Sequence, residues 1–253
     1  MTFKITLAYD GTDFVGWQRQ PEGASIQGLV EDALAEIEKR PVAVAGAGRT
    51  DAGVHAVGQV ASFTLARDID PATLARALNA KLPEAIRVMD ARIAPEGFHA
   101  RFDAVSKTYR FRIATGPAMD PFERRYAWHI PGPLDLDAMR AAARRLEGTH
   151  DFAAFQSAGS PVQSSTRAMS GLHITECAGR IIEVEATADG FLRHMVRAIV
   201  GTLVEVGRGR RGPEWIDEVL ASRDRTRAGR GAPALGLFLM SVVYRDTISM
   251  HVA

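Results

Sequence analysis

The order of segments along the chain predicts an α+β protein built from two similar halves. Segments with the alternation typical of β-strands are interleaved with segments that carry helical spacing, and the order strand, helix, strand, helix, strand occurs twice. No low-complexity linker separates the two rounds, so we expect their sheets to touch or merge. We therefore assign residues 1–105 to one half and 106–253 to the other, with the functional site in the cleft between them.

The first half is predicted to contain three strands and two helices. Ser25 is a suitable N-cap for the first helix, whose apolar residues recur at helical spacing, and Pro71 opens the second helix. A turn at Asp10 and Gly11 ends the first strand. The segments, in chain order, are 3–9, 26–38, the extended 42–45, 57–65, 71–80 and 86–93.

The second half repeats this alternation with insertions. Two of its strands form a hairpin around Ala178 and Gly179. The helix at 192–206 is the clearest in the chain, because its apolar residues keep to i, i+3, i+4 spacing throughout. The strands are predicted at 108–114, 172–175, 180–188 and 237–244, and the helices at 135–146, 192–206 and 213–221.

The composition is that of a globular protein without a membrane partner. Hydrophobic residues make up 46% and charged residues 24% of the chain. No apolar run approaches the roughly 20 residues of a membrane span, and the first nine residues lack the basic start and apolar core of a signal peptide. The single cysteine, Cys177, cannot form an internal disulfide. We therefore expect a cytoplasmic protein.

Arginine supplies almost all of the positive charge. The net charge of +1 does not by itself indicate a nucleic-acid partner, but 27 of the 31 basic residues are arginines. Arginine binds phosphate in a bidentate manner and stacks on bases. A genome rich in G and C also raises the arginine and alanine contents together. The bulk count therefore leaves RNA binding and compositional bias equally open.

The most informative motif is residues 48–55, Gly-Arg-Thr-Asp-Ala-Gly-Val-His. Its glycines allow a tight turn and the close approach of a ligand. Arg49 lies two residues before Asp51, where its charge would favour the ionised carboxylate. A positioned carboxylate in a tight loop suits nucleophilic or acid–base chemistry. By composition alone, a simple turn with a structural Arg–Asp pair is the commoner explanation.

Nucleotide-cofactor and metal sites are disfavoured by the motifs that they require. A dinucleotide-binding turn would need a glycine where Asp51 stands and a helix after it, and no Gly-Lys-Ser/Thr sequence of a P-loop occurs. The seven histidines include no pair at i, i+4 and have no set of cysteine partners. We therefore expect each histidine to be a surface or hydrogen-bonded core residue, and no metal site.

Residues 107–111, Lys-Thr-Tyr-Arg-Phe, form a second motif. On a strand, Tyr109 and Phe111 would share one face, and Thr108 and Arg110 would share the other. A half-buried aromatic strand explains this pattern without any functional role. The motif alone therefore does not indicate a function, and its interpretation depends on the other motifs of the chain.

Residues 190–197, Gly-Phe-Leu-Arg-His-Met-Val-Arg, form the third motif at the start of the clearest helix. Arg193 and Arg197 are four residues apart and would lie on one helical ridge beside the apolar stripe. Arginines that flank a core-facing stripe often only extend towards solvent. A structural role and a functional role are therefore both open from the spacing alone.

These motifs together resemble those of the tRNA pseudouridine synthase A family. The three motifs above match its signature loop, its Lys-x-Tyr-Arg segment and its Phe-Leu-x-x-Met-Val-Arg segment. The segment 156–165 departs from the family pattern, which leaves the RNA contacts and shape of that loop open. Further matches span the chain in the expected order, at 9–18, 25–27, 98–102, 232–237 and Tyr244.

The resemblance implies an isomerase that converts uridine to pseudouridine at positions 38 to 40 of the anticodon stem-loop of tRNA. It also implies a homodimer with a pseudouridine synthase fold around an antiparallel sheet, and no metal or organic cofactor. Asp51 would be the catalytic residue, with Arg197 in an ion pair with it and Arg49 as its second cationic neighbour. Tyr109 would stack on the target base and is a candidate general base. Arg193 is a candidate RNA contact.

A basic stretch near the end of the chain predicts a further RNA contact. Residues 208–230 contain seven arginines and four acidic residues. We expect Arg208, Arg210 and Arg211 to contact tRNA phosphates. A solvated surface with its own ion pairs explains the stretch equally well.

Two other function classes remain open from sequence. The first is a non-catalytic RNA-binding module with two α+β halves, but such a binder has little use for the Asp51 anion facing RNA phosphates. The second is an enzyme with a small-molecule substrate, which would not need so much surface arginine. We therefore favour an isomerase that acts on tRNA.

Overall fold

The structure is a computed structural model that describes residues 1–157, 159 and 163–245. Within these residues a single sheet of ten strands packs with five α-helices. The strands are β1 Thr2–Tyr9, β2 Ala45–Gly46, β3 His55–Thr64, β4 Ile86–Ile93, β5 Ala104–Thr115, β6 Trp128–Ile130, β7 Gly148–Asp151, β8 Thr166–Cys177, β9 Ile181–Ala188 and β10 Leu237–Tyr244. The helices are α1 Ile26–Glu38, α2 Pro71–Lys81, α3 Leu136–Arg144, α4 Met195–Gly207 and α5 Trp215–Ser222.

The sheet confirms the predicted α+β fold with a mainly antiparallel sheet. Its strand order is β4-β1-β3-β10-β5-β9-β8-β7, with β2 paired to β3 and β6 paired to β5. Every strand pair is antiparallel except β3–β10 and β5–β6. The sheets of the two halves have therefore merged into one.

Each half contains three strands in the same arrangement, and the second half adds β6, β7 and β8. In the first, β1 lies between β3 and β4, and in the second, β5 lies between β9 and β10. The helices also correspond in order. In the first half α1 follows β1 and α2 follows β3, and in the second half α3 comes after β5 and β6 and α4 follows β9. The halves join through the parallel pair, where Phe238 of β10 is opposite His55 of β3. The boundary at residue 105 stays a prediction.

Local signals in the sequence explain where the first helices begin. Helix α1 spans the predicted residues, and the Ser25 hydroxyl accepts a hydrogen bond from the Gly28 N–H at 3.3 Å. Helix α2 begins at Pro71 after the Asp70 cap, whose carboxylate accepts from the Thr73 N–H at 2.9 Å. These caps satisfy backbone donors that would otherwise lack partners.

Tertiary packing changes several predicted boundaries. Helix α4 begins at Met195, three residues later than predicted, and β5 and β8 extend beyond the predicted segments because neighbouring strands pair along their whole length. Of the predicted extended segment 42–45, only Ala45 is in a strand, where it forms β2 together with Gly46. The short strands β6 and β7 were not predicted. Part of the atypical segment 156–165, at 158 and 160–162, lies outside the described residues.

Helix α4 is the most buried helix, and its first turn contains Arg197, which lies beside Asp51. Eleven of its 13 residues are buried. The chain crosses it closely at Gly201, where an added Cβ would lie 1.7 Å from the Arg230 carbonyl oxygen. None of the helices among the described residues is long and apolar enough to cross a membrane.

Candidate catalytic site

The loop that carries Asp51 lies where the two halves join. It connects β2 to β3, and the first residue of β3, His55, faces Phe238 of β10 across the parallel pair. The two rings stack with their centroids 4.6 Å apart. Asp51 is therefore presented at the seam of the sheet, with one third of its side chain exposed (33%).

Close backbone contacts hold the loop in one conformation. The Trp17 N–H donates to the Thr50 carbonyl oxygen at 2.9 Å, and the Gln59 amide donates to the Gly48 carbonyl oxygen at 2.8 Å. Gly16 has a φ of 104°, and an added Cβ there would lie 2.6 Å from the Thr50 carbonyl oxygen. Only glycine fits this approach.

A buried hydrogen bond between the hydroxyl groups of Tyr9, on β1, and Thr50 also holds the loop. The Tyr9 and Thr50 hydroxyl oxygens are 2.7 Å apart, and both side chains are buried. Burial raises the pKa of Tyr9 to about 12. The Tyr9 hydroxyl therefore stays protonated and available as a hydrogen-bond donor within the scaffold.

Two side chains from the start of α4 meet Asp51, and both contact the same carboxylate oxygen. The Nε2 atom of His194 is 3.2 Å from Oδ2 of Asp51, and Nη1 of Arg197 is 3.8 Å from it. Arg197 also donates from Nε to the Ala232 carbonyl oxygen at 2.7 Å, which fixes its direction. Burial lowers the pKa of Arg197, and the Asp51 charge opposes this effect. The expected proximity of Arg197 and Asp51 is therefore present in the structure.

The expected contact between Arg49 and Asp51 is absent. Arg49 is exposed, and among the described residues no ion pair joins it to Asp51 within 4.0 Å. The loop is pinned through the backbone at Gly48 and Thr50, so the intervening Arg49 side chain faces solvent. The second neighbour of Asp51 is His194, which the sequence predicts only as a surface or hydrogen-bonded core residue. A catalytic role for Arg49 stays a prediction.

His194 reaches Asp51 because the helix does not begin where its apolar pattern begins. His194 has a φ of 62°, in the left-handed region, and α4 starts at the next residue. Arg193 therefore precedes the helix. The spacing predicted that Arg193 and Arg197 would share one helical ridge, and this prediction was wrong. The Arg193 carbonyl oxygen instead accepts a hydrogen bond from the Ser157 N–H at 3.2 Å.

Tyr109 lies beside the Asp51 loop and is 7% exposed. Its ring meets the ring of Phe191 edge to face, with centroids 5.1 Å apart. A Cβ added to Gly48 would lie 3.6 Å from the Tyr109 hydroxyl oxygen. Burial, with smaller contributions from Tyr9 and Asp51, raises the pKa of Tyr109 above its usual range. The phenol is therefore neutral in the free protein, and its environment does not assist a proton-accepting role.

Further cationic side chains surround the same loop. Lys107 lies two residues before Tyr109 on β5, and its Cδ would be 3.9 Å from a Cβ added to Gly48. Burial lowers the pKa of Lys107, and the charges of Arg101 and Arg167 lower it further. Among the described residues Lys107 has no ion pair within 4.0 Å. Lys107 thus lies within the electrostatic reach of two arginines and of one anion, Asp189, whose charge opposes the lowering of its pKa.

The predicted RNA contacts at the end of α4 lie far from Asp51. Helix α4 has 13 residues, and a helix of that length spans about 20 Å. Arg208, Arg210 and Arg211 follow its last turn and are exposed. Arg210 pairs with Glu205 at 3.1 Å, and the Arg211 guanidinium lies 5.3 Å from the ring centre of Trp215.

The residues described in the structure contain no group of three or more His, Cys, Asp or Glu side chains that could hold a metal ion. The side chains that the loop and its neighbours bring together are one partly exposed carboxylate, its partners His194 and Arg197, and a neutral tyrosine. Such a set can supply a nucleophile or a base, together with positive charge that offsets the carboxylate.

The chain matches the model of a family described as tRNA pseudouridine synthase, over residues 5–103 and 142–245. It belongs to the tRNA pseudouridine synthase family and is an enzyme of the isomerase class. The matched ranges include Asp51, His194 and Arg197, whereas Tyr109 lies between them. Membership favours the enzyme over the alternative of a non-catalytic RNA-binding module.

Close relatives match the chain over nearly its whole length. It is 48% identical over 243 residues to tRNA pseudouridine synthase A of Methylacidiphilum infernorum, covering 96% of this chain and 95% of the relative. It is 48% identical over 244 residues to tRNA pseudouridine synthase A of Moorella thermoacetica, covering 95% of this chain and 98% of the relative. The enzyme from Syntrophotalea carbinolica is 46% identical over 241 residues, with 95% of each chain covered.

Similarity to solved structures is much weaker. The crystal structure of the archaeal box H/ACA sRNP Nop10-Cbf5 complex matches with 14% identity and a TM-score of 0.36. The match covers 80% of this chain, which spans 43% of that chain. The family assignment rests on the family model and the sequence relatives.

Proposed function

We propose that this enzyme converts uridine to pseudouridine at positions 38 to 40 of the anticodon stem-loop of tRNA, with Asp51 as the reacting carboxylate. Family membership supports the reaction class. The observation that carries the assignment to Asp51 is its position: a partly exposed carboxylate at the seam of the two halves, paired with His194 and Arg197. The family resemblance alone supports the choice of stem-loop, a homodimer and a cytoplasmic location.

The reaction exchanges one bond for another without a co-reactant. The target uridine must leave its stack before a protein group reaches its glycosidic bond. Asp51 then attacks the sugar, attacks the base or removes a sugar proton, and all three first steps suit a partly exposed carboxylate. The bond between N1 and C1′ breaks, the uracil rotates, and C5 bonds to C1′. The proton lost from C5 is balanced by the proton gained at N1, so the product is an isomer of the substrate.

Tyr109 contributes an aromatic face, and its hydroxyl has a separate role. Base–aromatic stacking is worth about 1–3 kcal/mol, which would hold the extruded uracil beside Asp51. The proton at C5 needs an acceptor, for which Tyr109 is the candidate. Burial raises its pKa, so the neutral phenol fits hydrogen bonding to a water or to Arg193 better than direct proton removal.

RNA binding is proposed to use two groups of basic residues. Beside the site, Lys107, Arg101 and Arg167 would hold the phosphates that flank the target nucleotide, with Arg193 at the start of α4. Phe102, which is 75% exposed, offers a ring for a neighbouring base. The distal stretch around Arg208, Arg210 and Arg211 would contact phosphates further along the stem.

In vitro conversion of an unmodified tRNA transcript tests the proposed function. Purified protein and transcript are incubated without metal or cofactor, and pseudouridine is mapped at single-nucleotide resolution. We expect new pseudouridine at positions 38, 39 or 40 wherever these are uridines. A transcript with those uridines replaced by cytidines is the matched control. Conversion only at other positions would contradict the assigned target, and no conversion of any tRNA would contradict the function.

A further inference from the structure

We propose that Ser157, His194 and Asp51 form a hydrogen-bonded chain in which His194 is a positioning residue for the carboxylate. In this chain the Ser157 hydroxyl donates to Nδ1 of His194, and Nε2–H of His194 donates to Oδ2 of Asp51. The inference rests on the proposed role of Asp51 in the reaction. It adds a function to two residues that the three sequence motifs leave without a role.

The first support is the geometry of the ring. His194 uses both of its nitrogens: Nδ1 is hydrogen-bonded to the Ser157 hydroxyl, and Nε2 lies 3.2 Å from Oδ2 of Asp51. Ser157 is in turn held by its backbone N–H, which donates to the Arg193 carbonyl oxygen at 3.2 Å. The ring is thus fixed from the side opposite Asp51.

The second support is the backbone at His194. Its φ of 62° places it in the left-handed region, which few residues other than glycine adopt and in which histidine is enriched together with asparagine and aspartate. Although His194 is the N-cap of α4, its side chain makes no capping hydrogen bond to the helix. The side chain is therefore not engaged by the helix, and the two ring contacts, to Ser157 and to Asp51, are what hold it.

The tautomer follows from the contact with Asp51, because a carboxylate can only accept hydrogen bonds. The proton of a neutral ring is therefore at Nε2, and the lone pair at Nδ1 accepts from the Ser157 hydroxyl. That proton points at the Asp51 carboxylate. With the opposite tautomer, a lone pair at Nε2 would face the carboxylate oxygen and repel it. Ser157, whose hydroxyl can donate or accept, fits this tautomer and holds the ring in place.

The contacts also divide the two carboxylate oxygens of Asp51. The closest approaches of His194 and Arg197 to the carboxylate are both to Oδ2, at 3.2 and 3.8 Å. In the proposed chain Oδ2 is thereby anchored, and Oδ1 is the oxygen that faces the substrate. A carboxylate anchored at one oxygen has a fixed orientation, which is what a positioning residue provides.

The charged and polar groups around His194 determine how this chain responds to pH. Asp51 faces the ring from the loop, Arg193 and Arg197 are on its own segment, and Ser157 is on the opposite side. Burial lowers the pKa of His194, the two arginines lower it further, and Asp51 raises it. The ring is therefore neutral near pH 7. Below its pKa the imidazolium would bind the carboxylate more strongly and reduce its reactivity.

Kinetics of ring and hydroxyl variants test the chain in the full-length protein. Asparagine tolerates the left-handed backbone, so His194→Asn removes the ring with little strain. We expect single-turnover conversion about 10- to 100-fold slower, as for other residues that orient a reacting group, at an unchanged Kd for tRNA. Ser157→Ala should slow the reaction less, because the ring remains. His173→Gln, at an exposed position on β8, is the control.

The pH profile separates positioning from simple structural support. In wild type the rate should fall on the acid side as His194 becomes protonated, and this limb should move in His194→Asn. An unchanged rate in His194→Asn would overturn the proposal. A slower rate with an unmoved acid limb and a lowered melting temperature would also overturn it, because it would show a structural role only.

Nitrogen NMR of the imidazole ring tests the chain without relying on any activity. With ¹⁵N-labelled histidine, the shifts of His194 should show a proton on Nε2 at neutral pH, and Asp51→Asn should lower the pKa of the ring. A proton on Nδ1, or a titration that ignores Asp51→Asn, would overturn the inference whether or not the protein isomerises uridine. Failure to make pseudouridine with the expected NMR result would instead contradict only the proposed function.

Discussion

The two ends of helix α4 carry positive charge in different surroundings. At the start, Arg197 is 21% exposed, is held by a carbonyl oxygen and lies 3.8 Å from the Asp51 carboxylate. At the end, Arg208, Arg210 and Arg211 face solvent, and Arg210 is paired with Glu205. At the start of the helix a single guanidinium faces one carboxylate oxygen, whereas at its end three exposed guanidinium groups are distributed over the surface.

This difference separates chemistry from binding. Charges near a carboxylate in a partly buried site interact strongly, because little water screens them. Exposed charges are weakened by solvent and by salt, and contribute mainly to general attraction for a polyanion. We therefore expect substitutions at the start of α4 to change the rate of the reaction, and substitutions at its end to change affinity and salt dependence.

The largest contrast should come from the same substitution at the two ends. Arg197→Gln removes the charge beside Asp51, and we expect single-turnover conversion to fall about 100-fold, in the range for loss of one electrostatic partner at a reacting group. Arg208→Gln should leave that rate unchanged when tRNA is saturating. Equal effects of the two variants on the single-turnover rate would contradict the assignment of chemistry to the start of α4 and of binding to its end. Melting temperatures of both variants check that Arg197→Gln is folded, since it also loses the bond to Ala232.

Variants of Tyr109 separate the role of its ring from the role of its hydroxyl at the site near the start of α4. Tyr109→Phe keeps the ring, so tRNA should bind normally, and we expect complete but about 10-fold slower conversion because the neutral hydroxyl only orients a partner. Tyr109→Ala should weaken binding as well. A Phe variant that binds tRNA but releases almost no pseudouridine would identify the hydroxyl as the base. A Phe variant as fast as wild type would leave stacking as its only role.

Salt dependence gives the smallest and most specific contrast. Each arginine that no longer binds a phosphate should reduce the slope of log K against log salt by about 0.7 to 0.9. Replacing Arg208, Arg210 and Arg211 with glutamine should therefore lower the slope by about 2.1 to 2.7, without changing the saturated rate. Arg76→Gln, on α2, is the control. Unchanged affinity and slope in the triple variant would remove this stretch from the RNA path.

The fold was largely predictable because its signals are local. Ser25 and Pro71 mark the helix starts through hydrogen bonds and backbone angles that involve only neighbouring residues. The merging of the two sheets needs the β3–β10 pair, whose partners are far apart in the sequence. The short strands β6 and β7 were missed because they are stabilised by their neighbours and carry too few residues to show an alternation.

The candidate site was predictable only in part. The loop around Asp51 stood out through its glycines, but spacing could not show that Arg49 would face solvent. His194 was missed because the apolar pattern continues through it, whereas the helix starts one residue later. Only its left-handed backbone turns the ring towards Asp51. The histidine between two arginines in residues 190–197 was the available signal, and it has no meaning without that backbone.

The most direct test of the central claim, that Asp51 is the reacting carboxylate, is the single-turnover rate of Asp51→Asn on a tRNA that wild type converts. The amide keeps the size of the side chain but lacks its charge and most of its nucleophilicity. We expect conversion to fall by about 10³-fold or more, with the Kd for tRNA and the melting temperature unchanged. Asp68→Asn, an exposed residue away from the site, should retain the wild-type rate. Conversion by Asp51→Asn at close to the wild-type rate would contradict the account.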